Sequence, residues 1–74
     1  MQNTPATCGD RIKVSRQQLG LTQAELAKSC GLAQSAIGNL ESGIRKSPKH
    51  ILIIAKALNV DAMWLQYGHA QSSM

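Results

Sequence analysis

The stretch TQAELAKSCGLAQSAIGNLE, residues 22–41, decides the fold of this chain. It is typical of two short helices joined by a tight turn at Gly31. Apolar residues that can be buried together recur at helical spacing: Leu26, Ala27, Ile37 and Leu40. The other side of the second helix carries Gln34, Ser35, Gly38 and Asn39. Outward amides on a short helix of a basic protein match the edges of base pairs, so the stretch predicts a helix-turn-helix that contacts DNA.

The length and composition of the chain indicate one small domain. For 74 residues, folding removes roughly 60% of the unfolded chain's surface from water, which allows one modest core and little room for a buried catalytic cleft. The sequence shows no plausible nucleophile–base pair, paired carboxylates, Gly-rich phosphate loop or metal-ligand spacing. We therefore expect no enzymatic activity, no cofactor and no metal.

Charge adds a mild signal for a polyanionic partner, although solubility alone could explain it. Eight Lys and Arg against four Asp and Glu give a formal net charge of +4. Two basic groups flank the motif: Arg11, Lys13 and Arg16 before it, and Arg45, Lys46 and Lys49 after it. No acidic residue interrupts the second group, so its position is more informative than the net charge.

Cysteine usage and hydropathy indicate the compartment. Cys8 and Cys30 are expected to be reduced, because the sequence has neither a signal peptide nor Cys-rich spacing. No apolar run approaches the ~20 residues that cross a bilayer. We expect a cytoplasmic protein, from a prokaryotic cell or a phage-infected host, without membrane contact.

The helical spacing of Ile12, Ser15, Arg16 and Leu19 predicts where helix one begins. Capping and breaking residues predict the other limits of the first three helices. They are helix one from Gly9 or Asp10 to Gly20, helix two from Thr22 to Gly31, and helix three from Ala33 or Gln34 to Glu41. Thr22 and Glu25 form a capping box. Gly38 inside helix three costs roughly 1 kcal/mol relative to Ala. Either a close approach to a partner surface favours this glycine, or it reflects neutral drift.

Two further helices complete the expected domain. Ser47 is expected to cap helix four with Pro48 at its first position, and Asp61 to cap the last helix. The domain would then span residues 9–68. Residues 1–8 would be a flexible tail, and residues 69–74 a tail or the start of a linker.

The chain resembles the DNA-binding domains of lambdoid phage repressors and Cro-type proteins. The resemblance is carried by RIKVSRQQLGLTQAELAKSCGLAQSAIGNLESG at 11–43, a basic loop, Pro48, and ALNVDAMWLQYG at 57–68. It implies an all-α, compact, five-helix lambda-repressor-like fold that contains a helix-turn-helix. It also implies a symmetric dimer on a two-fold operator.

Carried over by position, the resemblance implies roles for individual residues. The residues facing base edges would be Gln34, Ser35 and Asn39, and a solvated helix face is the alternative for these three. Gln23 would contact a phosphate and brace Gln34. Arg16 and Glu41 match a pair that joins helix one to the end of helix three in several members. Independently of the family, a planar Gln or Asn amide matches N6 and N7 of adenine and discriminates by ~1–3 kcal/mol.

Two further groups of contacts are expected. The residues expected to meet or position phosphates are Thr22, Gln23, Ser42, Arg45, Lys46 and Lys49. The N-terminus of helix two offers N–H groups and a positive dipole end for this purpose, whereas the cations at 45–49 could also form an ordinary solvated loop. Some apolar residues lie outside the helical pattern that is expected to face the core. They are either partly buried or part of a subunit contact: Ile44, Leu52, Ile53 and Met63.

Two functions stay open. The first is a sequence-specific transcriptional regulator of double-stranded DNA, most simply a repressor that binds as a homodimer with residues 34–41 in the major groove. The second is an antitoxin-like or bridging protein-interaction module of the same fold, which the absence of aromatic residues on the outward face disfavours. The chain would be either a complete Cro-like protein or the N-terminal part of a longer repressor. In the second case we expect the dimer to form only on DNA.

Overall fold

A computed structural model of the protein describes residues 7–43 and 49–68. Within these ranges the chain forms α-helices and no strand, which confirms the expected all-α fold. The helices are α1 (Cys8–Gln18), α2 (Gln23–Cys30), α3 (Gln34–Ser42), α4 (Ile51–Leu58) and α5 (Ala62–Tyr67). None of them is long and apolar enough to cross a membrane.

Local capping signals account for most helix ends. Thr22 and Glu25 form the expected capping box: the Thr22 hydroxyl accepts the Glu25 N–H at 3.0 Å, and the Glu25 carboxylate accepts the Thr22 N–H at 2.8 Å. Gly31 ends α2 in the left-handed conformation, with φ 71°, which glycine adopts at little cost. The Asp61 carboxylate accepts the Trp64 N–H at 2.9 Å and so starts α5.

Three helix limits differ from those expected. α1 starts at Cys8, because the Thr7 hydroxyl accepts the Asp10 N–H at 3.0 Å; this cap precedes the apolar periodicity from which the start was predicted. α3 continues to Ser42. α4 begins only at Ile51, after a His50 whose side chain makes no capping hydrogen bond. The expected cap Ser47 and first residue Pro48 lie outside the described residues.

One hydrophobic core connects all five helices. Its buried members are Ile12, Leu26, Ala27, Cys30, Ile37, Leu40, Ile54, Ala55, Leu58 and Leu65, and Trp64 packs against them partly buried. The four apolar residues expected to be buried by the helix-turn-helix are all included. Cys8 and Cys30 are free thiols. Burial raises the pKa of both, with nearby Arg11 acting in the opposite direction on Cys8.

Gly9 brings α1 and α3 into close contact. A Cβ built on Gly9 would clash with the carbonyl oxygen of Leu40 and would lie 3.0 Å from that of Glu41. Only glycine therefore fits where the first turn of α1 meets the last turn of α3. This backbone contact fixes the C-terminal end of α3 in the domain.

Arg11 is a structural residue, although the sequence placed it among the cations before the motif. Its side chain is buried, and it donates Nε to the carbonyl of Leu65 at 2.9 Å and Nη2 to that of Gln66 at 3.0 Å. The last carbonyl groups of a helix have no partner within the helix. Arg11 therefore caps α5 from α1 and closes the domain.

Candidate nucleic-acid interface

The surface side of α3 carries the three residues expected to face base edges. Gln34 and Ser35 are exposed and Asn39 is half-buried, whereas Ile37 and Leu40 are buried in the core. Ser35 and Asn39 line a cleft of about 250 Å³ between α3 and the start of α4, and exposed Lys49 lines the same cleft. The structure thus brings one expected phosphate contact beside two expected base contacts.

The start of α2 offers backbone donors next to this surface. Thr22 is exposed, and its hydroxyl is occupied by the N–H of Glu25. The N–H groups of Gln23 and Ala24 come earlier in the first turn, where no carbonyl group of the same helix can accept from them. This arrangement suits a phosphate oxygen, because the positive end of the helix dipole lies at the same place.

Arg16 and Glu41 form a two-point ion pair between α1 and α3. Arg16 Nε lies 2.7 Å from Glu41 Oε2, and Arg16 Nη2 donates to Glu41 Oε1 at 3.0 Å. The side chains are only 11% and 5% exposed. Arg16 Nη1 also donates to the carbonyl of Leu21 at 2.7 Å. The hydrogen bonds to Glu41 raise the pKa of Arg16. Together with the bond to Leu21 they hold its guanidinium against the protein.

The side-chain amide of Gln23 is bound to Glu41. Its Nε2 donates to Glu41 Oε1 at 3.0 Å, and in the described part of the chain no hydrogen bond joins it to Gln34. The expected brace between Gln23 and Gln34 stays a prediction. A buried carboxylate is a stronger acceptor than an exposed amide. The Gln23 amide passes over Gly38: a Cβ built on Gly38 would lie 3.6 Å from Gln23 Oε1, an ordinary van der Waals distance.

A second depression, of about 370 Å³, lies where these groups meet. It is lined by Lys13, Arg16, Gln23, Gly38, Glu41 and Ser42. Ser42, an expected phosphate contact, is the last residue of α3 and donates its hydroxyl to the carbonyl of Asn39 at 3.2 Å. Sequence reasoning did not assign a site role to Lys13, since an exposed lysine in a helix has no distinguishing local signal.

The remaining expected site residues divide into two sets. Leu52, Ile53 and Met63 are 71%, 47% and 57% exposed, so the proposed subunit contacts of α4 and α5 lie on the surface. Ile44, Arg45 and Lys46 lie outside the described residues. Among the described residues, no group of three or more His, Cys, Asp or Glu side chains is placed to hold a metal ion.

Comparison with known proteins agrees with this geometry. A family model described as helix-turn-helix matches residues 12–65. The HTH-type transcriptional regulator for conjugative element R391 of Providencia rettgeri is 35% identical over 65 residues, covering 88% of this chain and 30% of that protein. The HTH-type transcriptional regulator PrtR of Pseudomonas aeruginosa is 36% identical over 67 residues, covering 90% of this chain and 26% of that protein.

Among solved structures, the P22 c2 repressor in complex with a synthetic operator superposes with a TM-score of 0.80. The two sequences are 30% identical, and the match covers 85% of this chain and 97% of the repressor chain. The chain spans less than a third of the two curated relatives. The agreement in sequence and in architecture shows that it belongs to the helix-turn-helix family, with the five-helix fold of the phage repressor DNA-binding domains.

Proposed function

We propose that this chain binds double-stranded DNA as a repressor-type transcriptional regulator, with α3 in the major groove of a two-fold symmetric operator. The observation that carries the proposal is the polar face of α3. Its exposed amide and hydroxyl groups stand on a helix whose opposite face is locked into the core. A rigid helix can therefore present donors and acceptors to base edges at little cost in ordering entropy.

Gln34 and Asn39 supply the chemistry for sequence preference. Each amide has one acceptor and one donating group in a planar fork, which pairs with N6 and N7 of adenine. Ser35 can donate or accept and is expected to be less selective. Ala33 and Gly38 offer no polar side chain, so base preference should depend mainly on the two amides.

Phosphate contacts would fix the register of the domain on the duplex. The start of α2 and the cleft lined by Lys49 suit this role. If each subunit neutralises three or four phosphates, a dimer should show a log–log salt slope of about −6. Recognition helices of the two subunits would enter successive major grooves ~34 Å apart.

The surface residues of α4 and α5 are the proposed subunit contact. Leu52 and Met63 are exposed apolar side chains on two helices that pack on each other. Ile53 adds to them, and Ile44 belongs to the proposal from sequence alone. We expect the homodimer to be weak without DNA and to form on a duplex that carries two half-sites.

Enrichment of binding sites from random duplexes tests the proposal. Wild type should select a near-palindromic site, and Gln34→Ala should lose the sequence preference at one position of each half-site. Gln17→Ala is the matched control, because Gln17 is an exposed glutamine on α1, outside the proposed surface. Failure to enrich any site, or a ratio of specific to non-specific affinity below ~10³, would favour the protein-interaction alternative.

A further inference from the structure

Glu41 connects three helices through a single carboxylate. Its Oε1 accepts hydrogen bonds from Arg16 Nη2 and Gln23 Nε2, both at 3.0 Å, and its Oε2 accepts from Arg16 Nε at 2.7 Å. Arg16 Nη1 also donates to the carbonyl of Leu21, the residue that precedes Thr22, the cap of α2. The network therefore ties the last turn of α3 to the end of α1 and the start of α2.

Gln23 uses one of its two amide N–H groups in this network. A glutamine amide nitrogen carries two N–H groups, and the contact with Glu41 uses one of them. The second is left for another acceptor, such as a phosphate oxygen. Because the bond to Glu41 is charge-assisted and its carboxylate is only 5% exposed, the amide is oriented before DNA arrives. Preorganisation of this kind favours binding by reducing the entropy lost on association.

The Gln23 side chain lies over Gly38. The Gln23 Oε1 atom lies 3.6 Å from the position of a Cβ on Gly38, an ordinary van der Waals distance, so the amide passes close to α3 at this residue. Gln34, at the start of α3, is exposed. In the described part of the chain no hydrogen bond joins the Gln23 and Gln34 side chains.

We propose that Glu41 is a positioning residue for DNA binding: it orients Gln23 toward a backbone phosphate, independently of the base contact made by Gln34. This inference rests on the proposed function. Phosphate contacts carry no sequence information, so Glu41 and Gln23 set affinity for any duplex. Gln34 sets only the preference among sequences.

Double-mutant cycles on a random-sequence duplex of about 24 base pairs, long enough for two half-sites one turn apart, test the inference. Gln23→Ala should lower the affinity of the wild type about tenfold, the loss typical of one charge-assisted hydrogen bond. In the Glu41→Ala background the same change should have less than about a twofold effect. In the Gln34→Ala background it should keep its full effect. An undiminished loss in the Glu41→Ala background would show that Glu41 acts only through the fold, and would overturn the inference.

Glu41→Ala also leaves Arg16 without its carboxylate, so a measurement on the intact wild-type chain accompanies the cycles. NMR relaxation of side-chain NH₂ groups should give Gln23 an order parameter near the ~0.85 of rigid backbone and Gln34 one below ~0.6. Equal mobility of the two amides would overturn the inference. If folded wild type fails to bind both the random duplex and any enriched site, the proposed function falls as well. If wild type binds and the effects of Gln23→Ala and Glu41→Ala simply multiply, only the inference falls.

Discussion

Gly9 in α1 and Gly38 in α3 are both helical glycines, and the atoms that surround them differ. A Cβ on Gly9 would clash with the carbonyl oxygen of Leu40 and lie 3.0 Å from that of Glu41, which are backbone atoms of α3 itself. A Cβ on Gly38 would meet only the Gln23 side chain, at 3.6 Å, an ordinary van der Waals distance. The side of α3 that packs on α1 has no space for an added methyl group, whereas the side toward α2 has space for one.

The basic residues of α1 also differ in their surroundings: some are bound within the protein and one is exposed. Arg11 and Arg16 are committed to contacts inside the protein, while Lys13 is exposed between them. The net charge of +4 therefore overstates the charge that α1 can offer to a polyanion. Residue type alone does not distinguish a structural cation from a cation available for binding.

The strongest test of the packed side of α3 is Gly9→Ala. We expect it to lower the free energy of unfolding by ~3 kcal/mol or more, because a clash with backbone is not relieved by a change of rotamer. Urea denaturation monitored by circular dichroism measures the loss. A Gly9→Ala variant as stable as wild type would show that α1 and α3 are not in backbone contact.

Arg11→Met is expected to have the next largest effect. The change keeps an apolar stem but leaves the carbonyl groups of Leu65 and Gln66 without their charged donor, at a cost of ~2 kcal/mol. Lys13→Met is the matched control, since this exposed lysine lies two residues further along α1. Its effect on thermal unfolding should stay within ~0.5 kcal/mol. Equal losses in the two variants would contradict the structural role of Arg11.

Gly38→Ala should act in the opposite direction. With room for the methyl group, it is expected to stabilise the fold by ~1 kcal/mol through helix propensity. The same variant separates the two explanations for this glycine. Unchanged affinity for a selected duplex would indicate neutral drift, and a loss of affinity despite higher stability would indicate close approach of the α3 backbone to DNA.

The smallest expected effect is the pH dependence from Cys30. Because burial raises its pKa, the folded state keeps the thiol proton at a pH where the unfolded state has released it. This contribution is constant below the ordinary thiol pKa of about 8.5 and destabilises the fold increasingly as pH rises above it. Wild type should therefore lose more stability than Cys30→Ala between about pH 8 and about pH 10. Parallel pH profiles of the two proteins would contradict this.

The helix-turn-helix was predictable because its signals are local. The expected caps are found at Thr22 with Glu25, at Gly31 and at Asp61. The start of α1 at Cys8 was not predicted, because its cap, Thr7, precedes Ile12, the first apolar residue of the helical pattern. The exposure of Gln34 and Ser35 followed from the amphipathic pattern of α3 alone.

Local sequence patterns thus predict the order of the helices, most of their caps, the buried side of the helix pair and the polar side of α3. The close packing of Gly9 against α3, the capping of α5 by Arg11 and the hydrogen bond from Gln23 to Glu41 became visible only in the folded structure. Local signals act between residues within a turn or two of helix. The decisive contacts join residues 54 apart for Arg11 and Leu65, and 18 apart for Gln23 and Glu41. Such pairs meet only through the packing of whole helices, which no short pattern encodes.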